Sequence, residues 1–418
     1  MTLRPWHWTL LLALLTASWV GYFAAHPEHL PKAGVGHYRV EVAPQSYHEV
    51  WFLDLFAILA ANDAVAAGLD PYARNPLDYM RRPHVYGPLW LHLRHLGFTR
   101  ADVRWLGAAL GGAFLLAAVL WLRPGSAGAL LWSAAVLCST PVLAAVERAN
   151  NDLAVFLVLA PVVPCLLSGR AAVRWLAVPL LALAAELKIY PAAAALVLLA
   201  TADRTERWRQ LLATAVALAL VGWHLIASLP PARTILPPLH GVFNFGAEIV
   251  LRQLGFAGAA LWLIPAALAV LIGLLGWRSP LLAGWQPAAA QRSEVLHFNL
   301  AASLLAGCFF AGQHFAYRWI FAVWLVPLLW SLATTAGSAP PRVRSLARLT
   351  AGLLLTVLWF EAIAVYTLSH LSGARRTELL DDVWRVMQPV EWALATLLIL
   401  FIAHFARLNL SSRPTPAS

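Results

Sequence analysis

The chain has 418 residues, of which 61% are hydrophobic and only 12% charged, with a mean hydropathy of +0.69. That charged fraction is about half the usual quarter of a soluble protein, and water offers no polar cover for so much apolar surface. An ordinary soluble enzyme, a disordered chain and a secreted disulfide scaffold are excluded, and a lipid bilayer is the natural solvent. The formal charge of +10 resembles a nucleic-acid signal, but its distribution argues against a nucleic-acid partner. Lys32 and Lys188 are the only lysines, and many arginines fall in short connections between apolar runs, where they set the orientation of a multispanning protein. Cys138, Cys165 and Cys308 each lie inside an apolar run. They offer neither a disulfide framework nor metal-ligand spacing.

In chain order, the first apolar run is Trp8 to Ala25. Arg4 precedes it and no convincing cleavage site follows, so it reads as an uncleaved span with a cytoplasmic N-terminus. Residues 26–103 form one long polar segment, the first extracytoplasmic loop. Within it, Tyr47 to Ala67 reads as an amphipathic helix at the membrane interface, with Val50, Leu53, Ala57 and Ile58 on one face and Trp51 and Phe52 as interfacial aromatics. Gly68, Pro71, Pro76, Pro83 and Pro88 then mark an irregular loop. The next apolar runs are 104–122, 127–146, 152–168, 172–186, 190–201, 210–228, 256–276, 295–311, 317–333, 347–368 and 389–406. The length and these runs predict an all-α polytopic membrane protein of about twelve spans in a single domain. Residues 104–333 form its core, and 334–418 its last helices and a short unstructured tail from Leu410.

The runs 172–186 and 190–201 are read as a tight hairpin. Merging them would move Arg204, Arg207 and Arg209 to the outer side. With twelve spans, both termini are cytoplasmic, and the inner connections also carry Arg123, Arg170, Arg174, Arg278, Arg292, Arg342, Arg344 and Arg348. On this topology the polar residues that look out of place fall near the outer ends of spans. They are Asp54, the run Glu147-Arg148-Ala149-Asn150-Asn151-Asp152, Glu186 with Lys188 and Tyr190, and Gln313-His314 with Tyr317-Arg318. Ionisable groups at membrane depth are costly and mark functional sites, so these point to one outward-facing cavity. Glu147 is expected to pair with Arg148 or Asp152. Lys188, a compact point charge, and Arg318, a planar fork expected on one helical face with His314 four residues before it, suit phosphate oxygens. Asp54 lies among Trp51, Phe52, Leu53, Leu55 and Phe56, and desolvation there is expected to raise its pKa towards that of a general base. Asp63, Asp70 and Asp78 are the competing carboxylates, and Asp70 before Pro71 also suits a turn. His92 and His95 have helical spacing but no third ligand nearby, so no metal site is assigned.

These residues resemble a known pattern. "GLDPY" (Gly68 to Tyr72), "NPLD" (Asn75 to Asp78), "VYGPLW" (Val85 to Trp90), "ERANND" (Glu147 to Asp152), "LKIYP" (Leu187 to Pro191) and "YRWIF" (Tyr317 to Phe321) run in order across roughly residues 47 to 330. They resemble the membrane glycosyltransferases of the GT-C type, and within them glycosyltransferase family 87, the polyprenyl-phosphate-mannose-dependent mannosyltransferase-like proteins. Two departures are visible: Ala149 stands where a glycine is expected, and Gly87 interrupts a Tyr-Pro pair. The resemblance implies a polyprenyl-phosphate-linked sugar donor used on the outer face of a bacterial inner membrane, and a lipid or glycan acceptor. It places the general base at Asp54 and phosphate binding at Lys188 and Arg318, with His314 beside them. Together with the out-of-place polar residues, the expected substrate-binding set is Asp70, Tyr72, Arg81, Tyr86, Glu147, Arg148, Asn151, Asp152, Lys188, Tyr190, Gln313, His314, Tyr317 and Arg318.

The chemistry is consistent with this. Glycosyl transfer to a hydroxyl requires one base and cations for the departing phosphate, and neither a second catalytic carboxyl nor a metal or other cofactor. No Asp-x-Asp triplet of the kind common in nucleotide-sugar enzymes occurs. The expected function is therefore inverting transfer of a hexose, mannose among the candidates. The alternatives are a transporter or flippase of a lipid-linked or anionic substrate, another lipid-phosphate transferase, for which no nucleophile or metal cluster is found, and a non-enzymatic assembly protein.

Overall fold

A computed structural model of the chain describes residues 4–26, 38–43, 46–201, 203–228, 244–335, 337, 339–368 and 374–411. Its helices are α1 (Pro5–Ala25), α2 (Leu53–Ala66), α3 (Val103–Leu122), α4 (Ala127–Leu137), α5 (Thr140–Glu147), α6 (Asn151–Leu159), α7 (Val162–Leu167), α8 (Ala171–Trp175), α9 (Ala177–Leu187), α10 (Arg204–Ser228), α11 (Ala247–Gln253), α12 (Ala260–Arg278), α13 (Arg292–Ala311), α14 (Val326–Thr334), α15 (Pro341–Leu368) and α16 (Ala374–Ser411). Tighter 3₁₀ turns form Pro88–Leu96, Tyr190–Ala200 and Ala316–Trp324. The described strands pair in twos. Tyr38–Ala43 lies antiparallel to Ser46–Val50, and Asn244–Phe245 antiparallel to His314–Phe315.

The chain is a helical membrane protein. Among the described residues, seven helical stretches are long and apolar enough to cross a bilayer, and nine if each of two bent pairs is one span. The bends have local causes. α4 and α5 meet at 53°, where Pro141 opens α5; the 316–324 turn and α14 meet at 59°, where Pro327 opens α14. Proline has no N–H for the preceding turn, so the chain redirects there at little cost. The stretches 151–167, 171–187 and 190–200 are helical but shorter. Lys188 and Ile189 separate the last two. The tail expected from Leu410 is helical at its first two residues, and 412–418 lie outside the described residues.

α13 is buried on nearly all sides, packed against the 190–200 and 316–324 turns and α16. At 1.5 Å per residue it runs about 30 Å, from Gln291, which donates to Ser331 Oγ, to the turn carrying His314. Phe156 stacks on Trp324 with centroids 4.1 Å apart and meets Phe114 edge-on. α10 and α12, by contrast, leave Leu212, Leu220, Trp223, Ile226, Leu263 and Leu274 exposed, a surface that acyl chains cover and water does not.

The first loop departs from its expected form. Ser46–Val50 is a strand, not the start of a helix, and α2 begins at Leu53. Nor is α2 amphipathic: Leu53, Leu55, Phe56, Ile58, Leu59, Ala60, Ala61 and Ala64 are all buried within the protein, because apolar side chains surround the helix instead of lining one face. It packs on Val103, Leu106 and Ala149 and against the 88–96 turn, where Asn62 Nδ2 donates to Trp90 O at 2.9 Å. Phe52, just before α2, has φ 50°. Its ring lies so close to Gly107 that a Cβ there would fall 2.2 Å from Phe52 Cδ2.

Candidate functional site

Two buried carboxylates organise the end of the bundle that holds α2. Asp54 sits in the first turn of α2, and α2 starts on the turn that joins α5 to α6: the Asp54 N–H donates to Arg148 O at 3.1 Å. Arg148 returns a two-point clamp, Nε to Oδ2 at 2.9 Å and Nη2 to Oδ1 at 2.7 Å. Asn150 Nδ2 donates to Oδ2 at 2.5 Å. The same amide caps α6, its Oδ1 accepting from the Asp152 N–H at 2.9 Å, so one side chain ties the first carboxylate to the helix that bears the second. Ala149 between them has φ 40°, the left-handed region that glycine enters without strain. That is the physical reason a glycine is expected there.

Arg82 adds a weaker cation, its Nη1 3.9 Å from Asp54 Oδ1. It is held by Asp78 through Nε at 2.7 Å and by Leu53 O at 3.0 Å. Burial alone would push the Asp54 carboxyl up, as the sequence reading expects. The charge and hydrogen bonds of Arg148, the Asn150 amide and the Arg82 charge outweigh it, and hold the group below the usual carboxylate range. Asp54 is therefore an ionised, oriented carboxylate at neutral pH. With three donors on four lone-pair positions, Oδ1 keeps one accepting position.

Asp152 is fully buried in the first turn of α6. Its Oδ1 accepts from Lys188 Nζ and from Tyr190 Oη at 2.8 Å, and its Oδ2 lies 3.7 Å from Arg318 Nε. Lys188 is 9% exposed, so it does not snorkel to the surface. Its ammonium faces the rings of Tyr86, Tyr190 and Tyr317 at 5.4, 5.7 and 5.6 Å, and the Arg318 guanidinium lies 4.3 Å from the Tyr190 centroid. These distances allow cation–π attraction. Arg318 Nη1 also meets His314 Nδ1. Arginine has no acceptor, so Nδ1 is the accepting nitrogen. Burial, then the charges of Arg318 and Lys188, hold the His314 imidazole far below its ordinary pKa, and it is neutral. Tyr86 feels both carboxylates: burial, then Asp54, Tyr317 and Asp152, hold its phenol well above the ordinary value, so it stays a neutral donor.

The 314 turn is held by a close backbone approach. Gly246 has φ 141°, and a Cβ there would fall 2.0 Å from Gly312 O. His314 and Arg318 meet, although they do not share a helix. His314 lies in the short strand and Arg318 in the following 3₁₀ turn.

The structure thus brings Asp54, Tyr86, Arg148, Asp152, Lys188, Tyr190, His314, Tyr317 and Arg318 into one cluster. The other expected residues have the following surroundings. Asp70 is exposed and accepts from the Tyr72 N–H at 2.9 Å, the turn role its place before proline allows. Tyr72 meets His84 at a tilt of 49°, and His84 meets Tyr86 edge-on. Arg81 is exposed, and its neighbour Arg82 reaches Asp54. Asn151 is buried without a hydrogen bond to its amide, and Asn150 takes the Asp54 contact. Glu147 ends α5, half-buried. Arg148 pairs with Asp54, 94 residues away, and not with Glu147. Gln313 is half-buried beside His314. Asp63 is engaged by Arg100 at 2.5 Å. Sequence signals existed for both missed residues: Asp78 and Arg82 have i, i+4 spacing, and Asn150 is a preferred N-cap before an apolar run.

Among the described residues, no three His, Cys, Asp or Glu side chains are placed to hold a metal ion. Comparison with protein-family models, with curated proteins and with solved structures found no match for this chain.

Proposed function

We infer that this protein is an integral membrane glycosyltransferase that moves a hexose from a polyprenyl-phosphate carrier to a lipid or glycan hydroxyl, with inversion. The observation that carries the reading is the convergence of an ionised, clamped carboxylate, Asp54, with a buried lysine and arginine from two other segments. The acceptor hydroxyl gives its proton to Asp54 as its oxygen bonds to the anomeric carbon. The carbon–phosphate-oxygen bond breaks on the opposite face, and its electron pair leaves on the phosphate, which Lys188 and Arg318 stabilise. Tyr86, Tyr190 and Tyr317 line the space with neutral hydroxyls and apolar rings.

The three short helical stretches, 151–167, 171–187 and 190–200, complete twelve passes in this reading. The arginines at the opposite end, with Arg174, Arg207, Arg342 and Arg348 among them, then lie in the cytoplasm by the positive-inside rule, and the site faces outward. A bacterial inner membrane is the setting that the resemblance implies. A second reading, a transporter or flippase of a lipid-linked anion, has one observation in its favour. Arg148 directly follows one bent helix pair and Arg318 lies in the first segment of the other, and broken helices form the sites of many transporters.

Mass spectrometry of lipid-linked and envelope glycans decides between them, in a deletion strain complemented with wild type or Asp54→Asn. A hexose restored by wild type and not by Asp54→Asn is the expected result. An unchanged glycan profile with an accumulated intact precursor would favour the transporter.

A further inference from the structure

The paired cations explain the phosphate but not Asp152, a carboxylate placed where an anion is to bind. Its Oδ1 is saturated by Lys188 and Tyr190. Its Oδ2 has no hydrogen-bond partner, although Asp152 is fully buried, and the facing Arg318 Nε, 3.7 Å away, has none either. Buried polar atoms left this way are costly. The pair also excludes most ligand groups. A phosphate oxygen satisfies Nε–H and is repelled by Oδ2. A cation satisfies Oδ2 and is repelled by Arg318 and Lys188. An apolar group leaves both atoms unmet. A hydroxyl suits both, because it donates one hydrogen to a carboxylate while it accepts another from a guanidinium.

We propose that Asp152 Oδ2 and Arg318 Nε together read one hydroxyl of the sugar carried by the lipid phosphate, while Lys188 and the remaining charge of Arg318 hold the phosphate. The proposal rests on the glycosyltransferase reading and adds a specificity-determining pair to it. The tyrosine rings around Lys188 fit the same occupant, since a sugar presents C–H faces between its hydroxyls.

The test measures binding to the detergent-solubilised full chain, with two probes: polyprenyl phosphate and polyprenyl-phospho-mannose, together with monodeoxy versions of the latter. Asp152→Asn should weaken the sugar-bearing probe by about 10- to 100-fold, the usual loss for a hydrogen bond to a charged group, and the bare phosphate by less than threefold. One monodeoxy probe should bind wild type as weakly as the parent sugar binds Asp152→Asn, and should lose nothing further in the variant. Arg318→Lys keeps the cation and removes Nε–H. It should show the same selective loss, and it serves if Asp152→Asn does not fold. Equal weakening of both probes would overturn the proposal, leaving Asp152 as a support for Lys188. So would tighter binding of bare phosphate by Asp152→Asn, which would make Asp152 a counter-ion that the phosphate displaces. Failure of wild type to bind either probe would sink the glycosyltransferase reading itself, and this proposal with it.

Discussion

The two ends of the helical bundle use arginine in opposite ways. At the α2 end, Arg148 and Arg318 face carboxylates contributed by distant segments. At the other end, most of the buried or half-buried arginines donate to backbone carbonyls where helices finish. Arg207, fully buried, donates to Thr201 O at 2.6 Å and Asn409 O at 3.2 Å. Arg407 donates to Trp277 O at 2.7 Å, and at the surface the exposed Arg348 donates to Ala333 O at 3.0 Å. Arg174 is the mixed case, with Glu206 at 2.8 Å and Ser168 O at 3.0 Å. Carbonyls at helix ends are fixed, uncharged acceptors that carry the negative end of the dipole; they staple the fold and have no second state. Carboxylates can be protonated, displaced or bridged by a ligand. One end is built to stay and the other to exchange partners.

The largest effect that probes this contrast is at Asp152. Asp152→Leu leaves the cations of Lys188 and Arg318 side by side without their carboxylate, and should cost about 3–5 kcal/mol in detergent unfolding. The double variant Asp152→Leu with Lys188→Met should recover part of it. A single-variant loss below about 1 kcal/mol, the size of an exposed pair, would mean that the site end is as inert as the other.

Arg148→Gln tests exchange at Asp54. Removing the clamp leaves burial as the main influence, so the Asp54 pKa should rise. The base must be ionised, so the acidic limb of kcat/KM against pH should move upward. In the wild type the limb should lie below the ordinary carboxylate value of about 4, with no loss from Asp54 between pH 5 and 8. An unmoved limb would take the base role from Asp54.

The smallest effect belongs to the far end. Arg207→Met strands two carbonyls and should cost about 1–3 kcal/mol, with the pH profile and the donor affinity unchanged. A shift in either would show that the staple communicates with the site.

Much of this architecture was legible from sequence, for definite reasons. Apolar runs long enough for a bilayer have few other uses, so the helices were readable. Isolated charges such as Lys188 and Asp152 stood out because their neighbours are apolar. What was not legible is register within turns. Arg81 and Arg82, or Asn150 and Asn151, are equivalent in composition, yet successive side chains in a turn point in different directions. Partner choice was also hidden: Arg148 has Glu147 next to it in sequence and takes Asp54 instead, because α2 docks its first turn on the Arg148 carbonyl. The same docking reversed the expected direction of the Asp54 pKa, since burial was readable and its compensation was not. The amphipathic character expected of α2 was not met because its partner surfaces, α3 and the 148–150 turn, come from elsewhere in the chain.

The contact between Phe52 and Gly107 bears on how the protein tolerates change. Gly107 lies in a membrane-spanning helix and carries no chemistry, yet any side chain there collides with the ring two residues before Asp54. The missing β-carbon acts as a spacing gauge for the carboxylate. A survey of random variants scored for activity would then return this glycine alongside the charged residues, and a search confined to polar side chains would pass over it.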